Sequence, residues 1–142
     1  MDRQKTSAST SSGGISWWVQ LVTIVGSMLM AAGAIIGLVN PGMLVGHQAD
    51  INDAVRVFAG YFAARNLAVA CLLFVLLAIR ARRALGHVTA LAACIQLVDL
   101  VLDCVEGRWS IAPGVLVVGL LFFLASIKLS GHPLWRRQAW VE

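Results

Sequence analysis

Residues 54–79 read AVRVFAGYFAARNLAVACLLFVLLAI, residues 80–83 read RARR, and residues 84–105 read ALGHVTALAACIQLVDLVLDCV. Each apolar run is near the ~20 residues that cross a bilayer core at ~1.5 Å per residue. The link between them, Arg80 to Arg83, is short, basic and polar, so the two runs predict antiparallel helices joined by a tight turn. Open sheets are excluded in such a setting, because their edges have nothing in lipid to bond with.

The same pattern extends outward in both directions. Toward the N-terminus a run over 15–39 is ended by Asn40, Pro41 and Gly42, since proline cannot continue a helix and glycine suits the turn. A loop, MLVGHQADIND (43–53), leads to the second span. Toward the C-terminus, Glu106, Gly107, Arg108 and Trp109 form a turn, and a fourth run covers 111–129, with Pro113 tolerated in its first turn. Residues 1–14 are small and polar and read as a disordered tail rather than a secretory signal; residues 130–142 form a short basic, aromatic tail. The predicted fold is all-α: an integral membrane bundle over 15–129, with four transmembrane helices at about 15–39, 54–79, 84–105 and 111–129 and antiparallel neighbours.

Composition agrees. Hydrophobic residues make up 59% of the chain and charged residues 13%, too little polar surface for a soluble domain of this length. The net charge of +4 sits mostly between apolar runs, which speaks for membrane orientation and against nucleic acid as a partner. Arg3, Lys5, Arg80, Arg82, Arg83, Lys128, Arg136 and Arg137 fall on one side of the predicted bundle. The positive-inside rule then places both termini in the cytoplasm, with Trp17, Trp18, Trp135 and Trp140 at that interface and Trp109 at the other.

Polar residues inside the spans carry the functional expectation, because a charge at mid-helix costs about 2.5–3.5 kcal/mol on insertion scales. In the third span Gln96, Asp99, Asp103 and Glu106 follow steps of three and four and share a face, with Thr89 deeper on the same side. In the second span Tyr61 and Arg65 share a face, with Asn66 beside it. Arg65 stays protonated and needs an anion; Asp99 is the expected partner and Asp103 the second choice. Arg56, near the outer end, can snorkel or pair with Asp53 or Glu106. The first span adds a weaker stripe, Ser16, Gln20, Thr23 and Ser27, and a GxxxG element, Gly33 and Gly37, suited to close helix packing.

The remaining candidates have plain readings. Cys71, Cys94 and Cys104 are expected as buried small hydrophobes. His47, Asp50 and Asp53 could touch a metal, but the two acids read better as a helix cap and a first-turn acid. His87 and His132 read as interfacial histidines. With no phosphate loop, nucleophile elbow, HExxH or dinucleotide fingerprint, neither a resident metal nor a cofactor is expected.

The segments GLVNPGML (37–44), FAGYFAARNLAVACLL (58–73), RARRALG (80–86) and LVDLVLD (97–103) resemble the small four-helix membrane proteins grouped as domain of unknown function 4267, similar in outline to DoxX-like proteins. The resemblance implies a proline after the first helix (Pro41), a Gly/Arg element in the second (Gly60, Arg65) and an acid late in the third (Asp99). It implies no particular activity.

Two functional readings follow. In the first, Asp99, Asp103, Arg65, Tyr61 and Asn66 form a catalytic group, with Gln96, Gln20, Thr23, Glu106 and Arg56 binding substrate. One carboxylate would act as general base and the other, kept protonated by burial, as general acid. The chemistry would be epoxide opening, cyclisation or isomerisation of a lipophilic small molecule. In the second, the protein is non-catalytic, a small oligomeric transporter or an accessory subunit, and Arg65–Asp99 is a structural ion pair. The bilayer is a partner in both, and a homo-oligomer is compatible with both.

Overall fold

A computed structural model describes residues 14–45 and 50–131. The expected tail structure at both ends, His47, His132, Trp135 and Trp140 lie outside the described residues, apart from Gly14, Ser130 and Gly131. The helices are α1 (Trp17–Val39), α2 (Gly42–Val45), α3 (Asp53–Ala78), α4 (Arg82–Val105) and α5 (Ala112–Ser130). Four of them, α1, α3, α4 and α5, are long and apolar enough to cross a membrane. The bundle is all-α and follows the predicted spans to within two residues at each boundary.

The short helix α2 stands where the sequence predicts only loop, its first turn started by the Met43 and Leu44 amides donating to Asn40 and Pro41 carbonyls. The cap of α3 also differs from expectation. Asn52, not Asp50, is the N-cap: its side chain accepts from the Val55 amide at 3.1 Å, while Asp53 is the first-turn acid. The polar atom that matters is the one immediately preceding the helix, and Asp50 is two residues too early.

The two tight turns share one design. After α4, Gly107 takes φ +73°, its amide donates to the Cys104 carbonyl, and the Arg108 amide donates to the Asp103 carbonyl. After α3, Arg80 takes φ +54°, its amide donates to the Leu77 carbonyl, and the Ala81 amide donates to the Leu76 carbonyl. Both are Schellman closures, which satisfy otherwise orphaned helix carbonyls. Glycine adopts the left-handed conformation freely; arginine does so at a cost of about 1–2 kcal/mol.

Around the bundle the order is α1, α3, α4, α5, and back to α1. α1 packs chiefly on α3 and α4 chiefly on α5, so the molecule is two helical hairpins that meet less extensively along α3–α4 and α1–α5. Within the second hairpin Gly86 lets α5 approach: a Cβ there would stand 3.2 Å from Leu129 Cβ. The buried Ser126 hydroxyl donates to the carbonyl of Gly86 at 2.8 Å. Arg82, at the start of α4, donates to the Leu129 and Lys128 carbonyls at 3.2 and 3.3 Å, closing the C-terminal end of α5.

The hairpins join mainly in one half of the bundle. Most of the apolar core lies toward the Arg80 end, with Val19, Leu73, Leu76, Leu85, Ala125 and Leu129, and Ala92, Phe122 and Met30 carry it through mid-span. Phe122 is fully buried, and its ring fills the space where a side chain on Gly26 would stand. Beyond Met30, toward the Glu106 end, the buried side chains are small or polar, among them Ala34, Ala59, Ala63, Ala112 and Asp103.

Two packing expectations are corrected. Gly37 of the GxxxG element packs on Leu44 of α2, and Gly33 has nothing near its Cα, so within the chain the element joins no pair of long helices. Cys71 and Cys94 are exposed and Cys104 is half-buried. They lie on outward faces of α3 and α4, where a small apolar thiol suits lipid as well as it suits a core.

Candidate functional site

Along α4, the acidic stripe turns toward two different arginines. Asp99 is one and a half turns from the Glu106 end, about 9 Å below Val105. Arg65 is twelve residues into α3, about 18 Å from that end and close to the middle of its span. The Arg65 Nη2 donates to both carboxylate oxygens of Asp99, at 2.9 and 3.1 Å. The guanidinium also lies 5.5 Å from the centroid of the Phe62 ring, on its own helix. The pair bridges the hairpins across the α3–α4 seam, as the sequence predicts, but it is not sealed: the side chains remain 39% and 20% exposed.

Asp103, one turn on, is buried and belongs to Arg108. The Arg108 Nη2 lies 2.6 Å from Asp103 Oδ1 and 3.0 Å from Glu106 Oε2, and its Nη1 donates to the Leu44 carbonyl at 2.6 Å. One guanidinium thus gathers two acids of α4 and the backbone of α2, fastening the second hairpin to the first at the Glu106 end. Its Nε is buried without a partner. Sequence reasoning treated Arg108 only as a loop charge. Gly107 was the usable signal, because a left-handed residue after a helix folds the next one back over the last turn.

The other candidate residues disperse. Tyr61 is 74% exposed and points away from the bundle, on the same side as Arg65 but without a polar partner among the described residues. Asn66 faces the interior among Ala63 and Ala70 and makes no hydrogen bond to another described side chain. Gln96 is half-buried against Gly119. Gln20 is exposed and donates to the Ile15 carbonyl, just ahead of α1, at 2.8 Å, and Thr23 is buried and donates to the Val19 carbonyl of its own helix at 2.8 Å. Thr89 does the same with Leu85. Ser27, fully buried, has a hydroxyl with no partner.

Arg56 is exposed and pairs with neither Asp53 nor Glu106; the latter is held by Arg108. It lines a pocket of approximately 430 Å³ with Leu38, Val39, Asn40, Ile51 and Ala59, at the Glu106 end between α1 and α3. Neither Arg65 nor Asp99 borders this pocket.

The arrangement can fix helix positions and present a part-open ion pair inside the span, on the Glu106 side of its middle. An acid–base pair acting on one water would need Asp99 and Asp103 to face a common point, whereas each is engaged by its own cation. Comparison with protein-family models, with curated proteins and with solved structures finds no match, so the resemblance carried by the segments quoted above gains no support from them.

Proposed function

We propose that this protein is a non-catalytic multi-pass membrane component, an accessory subunit or a protomer of a small oligomer, with both termini in the cytoplasm. Its α3–α4 seam is the face that meets another transmembrane segment. The observation that carries this reading is the state of Arg65 and Asp99. They are in direct contact, which suits a fastener better than a ligand site, yet they stay partly uncovered inside the span, between its middle, where Arg65 is anchored, and Asp99 about 9 Å below Val105. Hydrocarbon cannot solvate a guanidinium, so a part-open pair at that depth calls for a polar cover that a neighbouring helix supplies. Tyr61, Ala68 and Leu72 continue the exposed stripe on either side of Arg65 at helical spacing.

Site-specific photocrosslinking in native membranes tests it. A crosslinker at Ala68 is expected to give a discrete protein adduct, whereas one at Val117, exposed on α5, gives lipid adducts only. Lipid adducts alone from both positions would overturn the reading. Turnover assays with lipophilic epoxides separate it from acid–base catalysis. Wild type and Asp99→Asn are expected to be equally inactive, and turnover that disappears in Asp99→Asn would restore the enzymatic reading.

A further inference from the structure

We propose that the pocket beside Arg56 is a headgroup site for an anionic phospholipid. Arg56 is the fourth residue of α3, and Val39 is the last of α1, so the pocket opens where both spans end, at the level of a membrane–water boundary. Among the described residues the guanidinium has no carboxylate within ion-pair distance, although Asp53 precedes it by three residues. It differs in this from Arg65 and Arg108, both of which spend their charge inside the protein. An arginine fork matches phosphate oxygens in shape and charge. The Asn40 side chain, also on the pocket wall, adds an amide donor.

The walls decide between a lipid and a free anion. Leu38, Val39 and Ile51 are apolar and exposed, Leu38 and Val39 lying along the outward side of α1. A single exposed guanidinium holds free phosphate weakly, because water competes for both partners. A lipid brings the same phosphate with acyl chains that lie on Leu38 and Val39. The approximately 430 Å³ of the pocket is within the range of small-molecule sites. None of the pocket residues belongs to the stripe of Tyr61, Arg65, Ala68 and Leu72 on the α3–α4 seam.

Native mass spectrometry of the full chain, released from neutral maltoside micelles, is the test. Titrated with phosphatidylglycerol, wild type is expected to retain one lipid at about tenfold lower concentration than Arg56→Gln, the loss of one charge-assisted contact. Phosphatidylcholine of the same chain length is expected to bind both proteins alike and more weakly than phosphatidylglycerol binds wild type. Val39→Asp supplies a second route: Val39 is 79% exposed, so the change costs no packing, but it sets a carboxylate on the pocket wall and should lower phosphatidylglycerol retention comparably. Equal retention of phosphatidylglycerol by wild type and both variants overturns the site, as does equal binding of the two lipids to wild type. Displacement of the lipid by millimolar inorganic phosphate would make it a small-anion site and overturn the lipid assignment.

Discussion

From mid-span toward Arg80 the four long helices meet through Phe122, Leu73 and Leu85, all fully buried, while toward Glu106 the hairpins are tied by Arg65 to Asp99 and by Arg108 to Asp103, Glu106 and the Leu44 carbonyl. The two ends hold for different reasons. In lipid, an apolar side chain gains little by leaving one hydrocarbon surface for another, so the Arg80 end depends on close fit. The Glu106 end depends on each charge having its partner, because the alternative is an unpaired ion in a poor solvent. The first kind of contact is sensitive to volume and the second to charge.

The largest expected effect is at the packed end. Phe122→Ala should cost about 3–5 kcal/mol, measured by unfolding in mixed micelles, since a cavity opens against Gly26. A cost no greater than that of Leu124→Ala, at a 53% exposed position, would erase the distinction between the ends. Next, Arg108→Met should cost about 3 kcal/mol by leaving Asp103 buried without its cation. Adding Asp103→Asn should recover most of that loss. A double variant as unstable as the single one would show that Arg108 acts through bulk rather than charge.

Arg65→Met should cost less, about 1 kcal/mol, because that pair is partly open and detergent-bound water can replace it. A loss equal to that of Arg108→Met would mean the two latches are equivalent. The smallest effects are at the turns and have opposite signs. Arg80→Gly should stabilise by about 1 kcal/mol and Gly107→Ala should destabilise by about as much, since both positions have positive φ. Chemical unfolding of the pair is the check, and effects of the same sign would remove the claim that the turns are alike.

The spans were legible because their signal is local: length, hydropathy and the breakers Pro41, Arg80 and Gly107 all act within a few residues. The Arg65–Asp99 pair was legible because depth along two antiparallel helices can be counted. The grouping of the acids was not. Asp99 and Asp103 share a face of α4, and nothing in that spacing says that one turns to α3 while the other turns back to Arg108. That division depends on how the hairpins splay and on the position of the Leu44 carbonyl, both set by tertiary packing. Tyr61 and Asn66 mislead for a similar reason. Residues neighbouring Arg65 along the helix point up to 100° away from it, so Asn66 falls on the interior face and Arg65 on the seam. Similarly, the sequence offered Arg56 two acids, and the backbone gave it to neither.

The way Arg82 closes the end of α5 has a consequence for biosynthesis. The last carbonyls of α5 are met by a side chain made 46 and 47 residues earlier, and Asp103 is met by one that follows it by five. A ribosome stalled after α4 would therefore have delivered an acid to the bilayer ahead of its counter-ion. The turn that carries Arg108 answers that acid at once, whereas the contact of Arg82 with α5 forms only when the last residues of α5 arrive and complete the second hairpin.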